Sequence, residues 1–147
     1  MKHKEEYKNL DRTLQLIAKQ IKASRAFAEI WLPAGIESPA ELFHLLKPSL
    51  IYKADPPGIE LIQNFRSLML DNYWGIPGAG DCDCFSVAAA ACADVLGYSS
   101  ALIVAGNGRQ PTHIYNFIEN NVFDLTENVI LAERNYKRRE LVKYRLR

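Results

Sequence analysis

Residues 80–97 read Gly-Asp-Cys-Asp-Cys-Phe-Ser-Val-Ala-Ala-Ala-Ala-Cys-Ala-Asp-Val-Leu-Gly, and the rest of the chain has to be arranged around them. From Phe85 to Leu96 the stretch is small or apolar on nearly every side, and Gly97 stands where a helix ends on a left-handed residue. A helix without a polar face must be covered all round. Its alanines let neighbouring backbones approach closely. Just before it, Gly75-Ile76-Pro77-Gly78-Ala79-Gly80 forms a loop, so Cys82 falls where loop meets helix.

The covering elements are legible on both sides. Upstream, Tyr7, Leu10, Leu14, Ile17 and Ile21 recur at steps of three and four, one stripe of an amphipathic helix. Phe27, Ile30 and Trp31 fit either its continuation or the start of an extended segment, and Leu32-Pro33-Ala34-Gly35 stops both. Ser38-Pro39-Ala40-Glu41 is a helix start with a capping box, followed by the apolar face Leu42, Phe43, Leu45 and Leu46. A short extended piece, Ser49–Tyr52, leads to the turn Asp55-Pro56-Pro57-Gly58, and a further helix is predicted over Ile59–Leu70. Downstream, strands are predicted over Ala101–Ala105, Thr112–Glu119 and Val122–Leu125, the last two joined by a hairpin at Glu119-Asn120-Asn121. The tail Leu141–Arg147 alternates with Lys143, Arg145 and Arg147 on one side, as a basic edge strand would. Helices first, one central buried helix, then an antiparallel sheet make an α+β layout.

Composition bounds the function. The chain has 147 residues, 48% hydrophobic and 24% charged, which is one globular domain rather than a disordered or fibrous chain. No apolar run reaches the roughly 20 residues of a membrane span. The first residues, Met-Lys-His-Lys-Glu-Glu, lack the apolar stretch of a secretory signal. Three cysteines, two of them one residue apart, make no disulfide framework and point to a reducing cytoplasm. Charge is segregated: residues 1–25 carry seven Lys/Arg against three acids, 134–147 seven against one, and 26–133 four against thirteen. Basic ends lying across an acidic body account for this better than nucleic-acid binding does, since no nucleic-acid-binding signature accompanies them.

The chemistry gathers at Cys82. A thiol at a helix N-terminus faces free N–H groups and the positive end of the dipole, both of which favour thiolate. Asp81 and Asp83 oppose this, so an imidazole partner is needed. Of three histidines, His3 is terminal and His44 lies in the short amphipathic helix, whereas His113 opens a predicted strand. Asp124 ends the strand that pairs with it, placed to orient the imidazole. Cys82, His113 and Asp124 thus read as nucleophile, base and orienter. Besides the Cys82 N–H, an oxyanion hole needs a second donor, for which Gln63 and Trp74 are the candidates. Cys84 and Cys92 read as packing residues of the helix, and the set Cys82, Cys84, Cys92 and His113 has poor spacing for zinc. No metal or cofactor is expected.

Gly80-Asp81-Cys82-Asp83 running into a small-residue helix, Thr112-His113-Ile114-Tyr115, and Val122-Phe123-Asp124-Leu125-Thr126 together resemble the transglutaminase-like superfamily of papain-like thiol enzymes. The approach Ile51-Tyr52-Lys53-Ala54-Asp55-Pro56 is similar to its bacterial and phage members. The resemblance covers about Leu42 to Glu127. It implies one domain over 1–147: an N-terminal amphipathic helix within 1–31, a catalytic core over 38–127 and a basic strand or tail over 134–147. It further implies a cysteine peptidase, amidase or acyl-transferase working through a Cys82–His113–Asp124 triad and a thioester. Members often have a second acid where Cys84 stands, so Asp81, Asp83 and Cys84 are expected to modulate the nucleophile. The expected partner is a peptide or protein substrate, with a protein contact through the N-terminal helix or basic tail. The compartment is the cytoplasm, or a virion if the chain is of phage origin. The rival reading is a non-catalytic scaffold or phage assembly protein that kept the fold.

Overall fold

The computed structural model describes residues 10–144. Its first element, α1 (Leu10–Trp31), buries Thr13, Ile17, Ile21, Ser24 and Ala28 along one stripe. The helix therefore continues through Phe27 and Trp31, whose rings meet Phe65 edge-on at 5.1 Å each. Ile30, on the opposite side, is exposed. Tyr7, His3, Arg145 and Arg147 lie outside the described residues.

Helix α2 (Pro39–Leu46) starts as its sequence predicts, with the Ser38 hydroxyl accepting the Glu41 N–H at 3.2 Å. The Glu41 carboxylate reaches back to the N–H of Glu37, one residue beyond the usual capping-box partner. After a single tight turn at Lys47–Ser49, β1 (Ile51–Tyr52) pairs in parallel with β2 (Ala79–Gly80) at the end of the glycine loop. Gly78 makes this pairing possible. Its φ is +82°, and a Cβ there would collide with the Ser49 carbonyl.

The helix predicted over Ile59–Leu70 is shorter: α3 spans Phe65–Leu70 only. The N–H groups ahead of it are bound from elsewhere. Leu61 N–H bonds Asp55 Oδ2 (2.9 Å), Gln63 N–H bonds the Cys84 sulfur (3.4 Å), and Phe65 N–H bonds the buried Ser24 hydroxyl (3.0 Å). Asn64 then caps the helix by accepting the Ser67 N–H at 2.8 Å. Residues 59–64 are consequently held out of helix by side chains of distant segments.

Helix α4 (Cys82–Val95) is the central element, with Cys82 through Ala93 all buried. It ends in a Schellman arrangement: Gly97 has φ +77°, its N–H bonds Asp94 O, and Tyr98 N–H bonds Ala93 O. A four-stranded antiparallel sheet follows, in the order β5–β4–β3–β6. Its strands are β3 (Ser100–Gly106), β4 (His113–Ile118), β5 (Asn121–Phe123) and β6 (Arg138–Val142). Glu119 (φ 50°) and Asn120 (φ 61°) form the β4–β5 turn, the left-handed pair a two-residue hairpin requires. The basic edge strand begins earlier than the predicted Leu141, at Arg138–Val142, because β3 fixes its register by pairing Gly106 with Arg138 and Leu102 with Val142; Lys143 and Tyr144 fall outside it. Leu102, Val104 and Ile114 face Val87 and Ala90 of α4 and Ile17 and Ile21 of α1. Ile103, Ala105 and Tyr115 face the other way, under Tyr136. The architecture is α+β, and no helix among the described residues is long and apolar enough to cross a membrane.

Candidate active site

Three chain positions converge because each closes or opens an element. Cys82 is the first residue of α4, His113 the first of β4, and Asp124 immediately follows β5. The β4–β5 hairpin brings the last two together, with His113 Nε2 2.8 Å from Asp124 Oδ2. Cys82 is the other side chain whose hydrogen bonding and charge act on this imidazole. Cys82 also approaches Asp83 Oδ1 at 3.8 Å.

Asp124 is fixed at both oxygens. Its Oδ1 accepts the Thr126 N–H (3.0 Å) and hydroxyl (2.7 Å), leaving Oδ2 for the imidazole. The Thr126 hydroxyl lies 3.4 Å from His113 Nε2 as well. Burial by itself would push the imidazole toward its neutral form. The hydrogen bonds to Asp124 and Cys82, and the negative charge on those groups, outweigh it and raise His113 to about 10. Asp124 responds in the opposite sense: burial would raise it, but the bond and charge of His113 and the two bonds from Thr126 hold it below the ordinary carboxylate range. Both shifts describe one buried imidazolium–carboxylate pair beside a thiol.

Two tyrosines fix the plane of that imidazolium. Tyr115 stacks on His113 at 5.2 Å and 25°, and Tyr136 lies 5.9 Å away at 31°. The Tyr115 hydroxyl donates to Glu133, whose other oxygen accepts from Arg139 at 2.8 Å. Burial pushes both phenols up, Tyr136 to about 12, so two neutral rings, themselves 6.0 Å apart, lie against a cation. Thr126, Tyr136 and Glu133 carry no role in the sequence reading. Thr126 had a local signal, a hydroxyl two residues after an Asp, which is the spacing of a side-chain turn. Tyr136 had none, since it arrives from an irregular segment before β6.

Gln63 and Trp74 are placed close to the glycine loop but are engaged there. The Gln63 amide nitrogen donates to Ala79 O (3.1 Å) and approaches the Cys84 sulfur (3.8 Å), and its oxygen accepts the Tyr73 N–H (3.0 Å). Trp74 lies under Lys53, whose ammonium is 5.2 Å from the ring centroid and whose N–H bonds Gly80 O at 2.7 Å. That position makes Trp74 part of the wall beside the loop. His44 is exposed, away from this cluster.

The other thiols are turned elsewhere. Cys84 accepts from Gln63 N–H and donates to Leu61 O at 3.3 Å. Burial, reinforced by the negative charge of Asp81, pushes it up to about 12. Burial pushes Cys92 up as well. None of the three cysteines is in a disulfide. Among the described residues the close set of ligand-type side chains is Asp81, Cys82 and Asp83, so Cys84, Cys92 and His113 do not assemble with Cys82 as a zinc site would require. Asp81 has a structural part here, capping α4 by accepting the Asp83 N–H at 3.1 Å. Compared with protein-family models, with curated proteins and with solved structures, the chain finds no match, and its function has to be read from this geometry.

Proposed function

We propose that this chain is a cysteine-dependent hydrolase or acyl-transferase with a transglutaminase-like, papain-like fold, acting on a peptide or carboxamide bond. One observation carries the reading: His113 Nε2 lies 2.8 Å from Asp124 Oδ2, and Cys82, the first residue of α4, is the other side chain that acts on the imidazole. A cationic imidazole beside a thiol at a helix N-terminus is the environment that favours thiolate.

In this mechanism the Cys82 sulfur attacks the substrate carbonyl carbon while its proton resides on His113. The resulting oxyanion meets the Cys82 backbone N–H at the start of α4. His113 then gives the proton to the leaving amine, the C–N bond breaks, and a thioester to Cys82 remains. Water, deprotonated by His113, attacks the thioester, releasing the acid and restoring the thiol. An amine in place of water would give transfer, but water is the more economical acceptor. Asp124 stays ionised throughout and holds the imidazole in orientation through Nε2.

A second reading, a scaffold that retains the fold without catalysis, draws on the burial of Cys82, which is 1% exposed. Alkylation by iodoacetamide at neutral pH, with adducts assigned by mass spectrometry, separates the two. The enzyme reading expects Cys82 to be modified well ahead of Cys84 and Cys92, and this lead to vanish in His113→Ala. If the three thiols react alike, or Cys84 reacts first, the scaffold reading stands instead.

A further inference from the structure

A concavity of about 530 Å³ opens between β6 and the loop that delivers His113. Its frame is tied at several points. The loop folds tightly over Gly106, where a Cβ would come 3.0 Å from Gln110 O, and Thr112 N–H bonds Ala105 O at 2.9 Å. Asn107 Oδ1 accepts the Lys137 N–H at 2.9 Å, and Gly106 pairs with Arg138 in the sheet.

On this frame stand Arg109 and Arg138, both exposed and both lining the concavity. Among the described residues neither meets a carboxylate, whereas Arg134 closes on Glu127 at 3.1 Å and Arg139 on Glu133 at 2.8 Å. The contrast matters in this chain, because residues 26–133 hold thirteen acids and only four bases. Carboxylates for pairing are abundant, yet these two guanidiniums face a hollow whose single acid among the described residues is Glu140. Two preplaced guanidinium forks facing open space suit a ligand that brings its own carboxylates.

We propose that this concavity is a subsite for acidic side chains of the substrate: a peptide segment bearing Asp or Glu, its carboxylates held by Arg109 and Arg138. The proposal rests on the Cys82–His113 reading for its purpose, since the loop bearing Arg109 ends one residue before His113. Leu10, Val104 and Pro111 supply the apolar part of the wall, against which the aliphatic stem of Glu packs. Among the described residues no aromatic ring lines the hollow, so they offer no stacking platform of the kind single-stranded nucleic acid uses.

The test is a fluorescence anisotropy titration with the full chain. The probe is a capped octapeptide of alternating Glu and Ala carrying a neutral dye, compared with its Gln analogue. The expected result is binding of the acidic peptide, with the Gln analogue and the Arg109→Ala/Arg138→Ala protein each weaker by about tenfold or more, the scale of a charged hydrogen bond. An Arg66→Ala control, which removes an exposed cation outside the hollow, leaves the affinity within about twofold and melts with the wild type. Equal affinity for the two peptides, an unaffected double variant, or no binding up to about 1 mM overturns the proposal. So does a single-stranded oligonucleotide that displaces the peptide and itself loses affinity in the double variant. Because the titration is repeated in Cys82→Ala and needs no turnover, its outcome is independent of the alkylation experiment, and either reading can fail alone.

Discussion

Replacing Asp124 by Asn changes one atom at the centre of the buried pair and leaves the volume unaltered. The amide oxygen can still accept from the Thr126 N–H and hydroxyl. The other position then presents an NH₂ group to His113 Nε2 at the present 2.8 Å, where a hydrogen bond from an imidazolium cannot form. Asp124 is 1% and His113 14% exposed, so water does not replace the lost partner. Removing one member of a buried pair costs about 3–5 kcal/mol, and the lower end applies because imidazole can shed its charge. A loss of about 3 kcal/mol in a chain of this size lowers the melting temperature by about 6–12 °C. The pH dependence gives a sharper check. His113 is raised in the folded protein from 6.5 to about 10, so the stability it contributes is complete below 6.5 and disappears as pH rises through 10. Urea unfolding of wild type and Asp124→Asn should therefore show a gap that is full near pH 6 and closes across that window. The His113 ring resonance should titrate at lower pH in the variant. A gap that persists above pH 10, or an imidazole that titrates unchanged, would falsify the buried imidazolium–carboxylate pair.

Two further substitutions probe the supports of the site. Thr126→Val keeps the shape but removes the hydroxyl on Asp124 Oδ1, and a loss of about 1.5–3 kcal/mol is expected by urea unfolding; Thr126→Ser should recover most of it, and a neutral Val variant would mean that the hydroxyl is not engaged. Gly78→Ala places a side chain at φ +82° against the Ser49 carbonyl, so it should cost more than the roughly 1–2 kcal/mol of left-handed strain alone. Melting temperatures of Gly78→Ala and Gly75→Ala separate the two contributions, since Gly75 has a positive φ but open space around it.

What could be read in the sequence divides along a physical line. The closing turn of α4 was legible because Gly97 and its neighbours meet their own bonds within a few residues, and the β4–β5 turn was legible because Asn120 admits a positive φ without outside help. From those two local features the approach of His113 to Asp124 follows by strand pairing. Residues 59–64 read as helix because Leu61 and Ile62 continue the helical spacing of Phe65, Leu68 and Met69. Asp55, which binds the Leu61 N–H, is 6 residues away, but Cys84 on Gln63 and Ser24 on the following Phe65 lie 21 and 41 residues away, beyond any local window. The edge strand failed for the same kind of reason. Alternation sets which residues share a face, but the span of β6 is set by where β3 offers free backbone, from Gly106 to Leu102.

The sequence places the nucleophile at Cys82 and reads Cys84, two residues on, as a packing residue, and helix geometry shows how the two thiols part. Residues two apart are separated by about 200° around an axis with 3.6 residues per turn, so the two thiols leave α4 on nearly opposite sides. One side faces the sheet edge and His113; the other faces the extended segment 61–63. Gly80 then locks the second side, because Cys84 Cβ sits where a Gly80 side chain would begin, 2.9 Å away, and the sulfur accepts the Gln63 N–H and donates to Leu61 O. For Cys84 to reach the imidazole, or to join Cys82 in a disulfide, the first turn of α4 would have to unwind and release the Asp81 cap. A departure from the expected Asp at position 84 thus changes the packing beneath the loop rather than the thiol that His113 addresses.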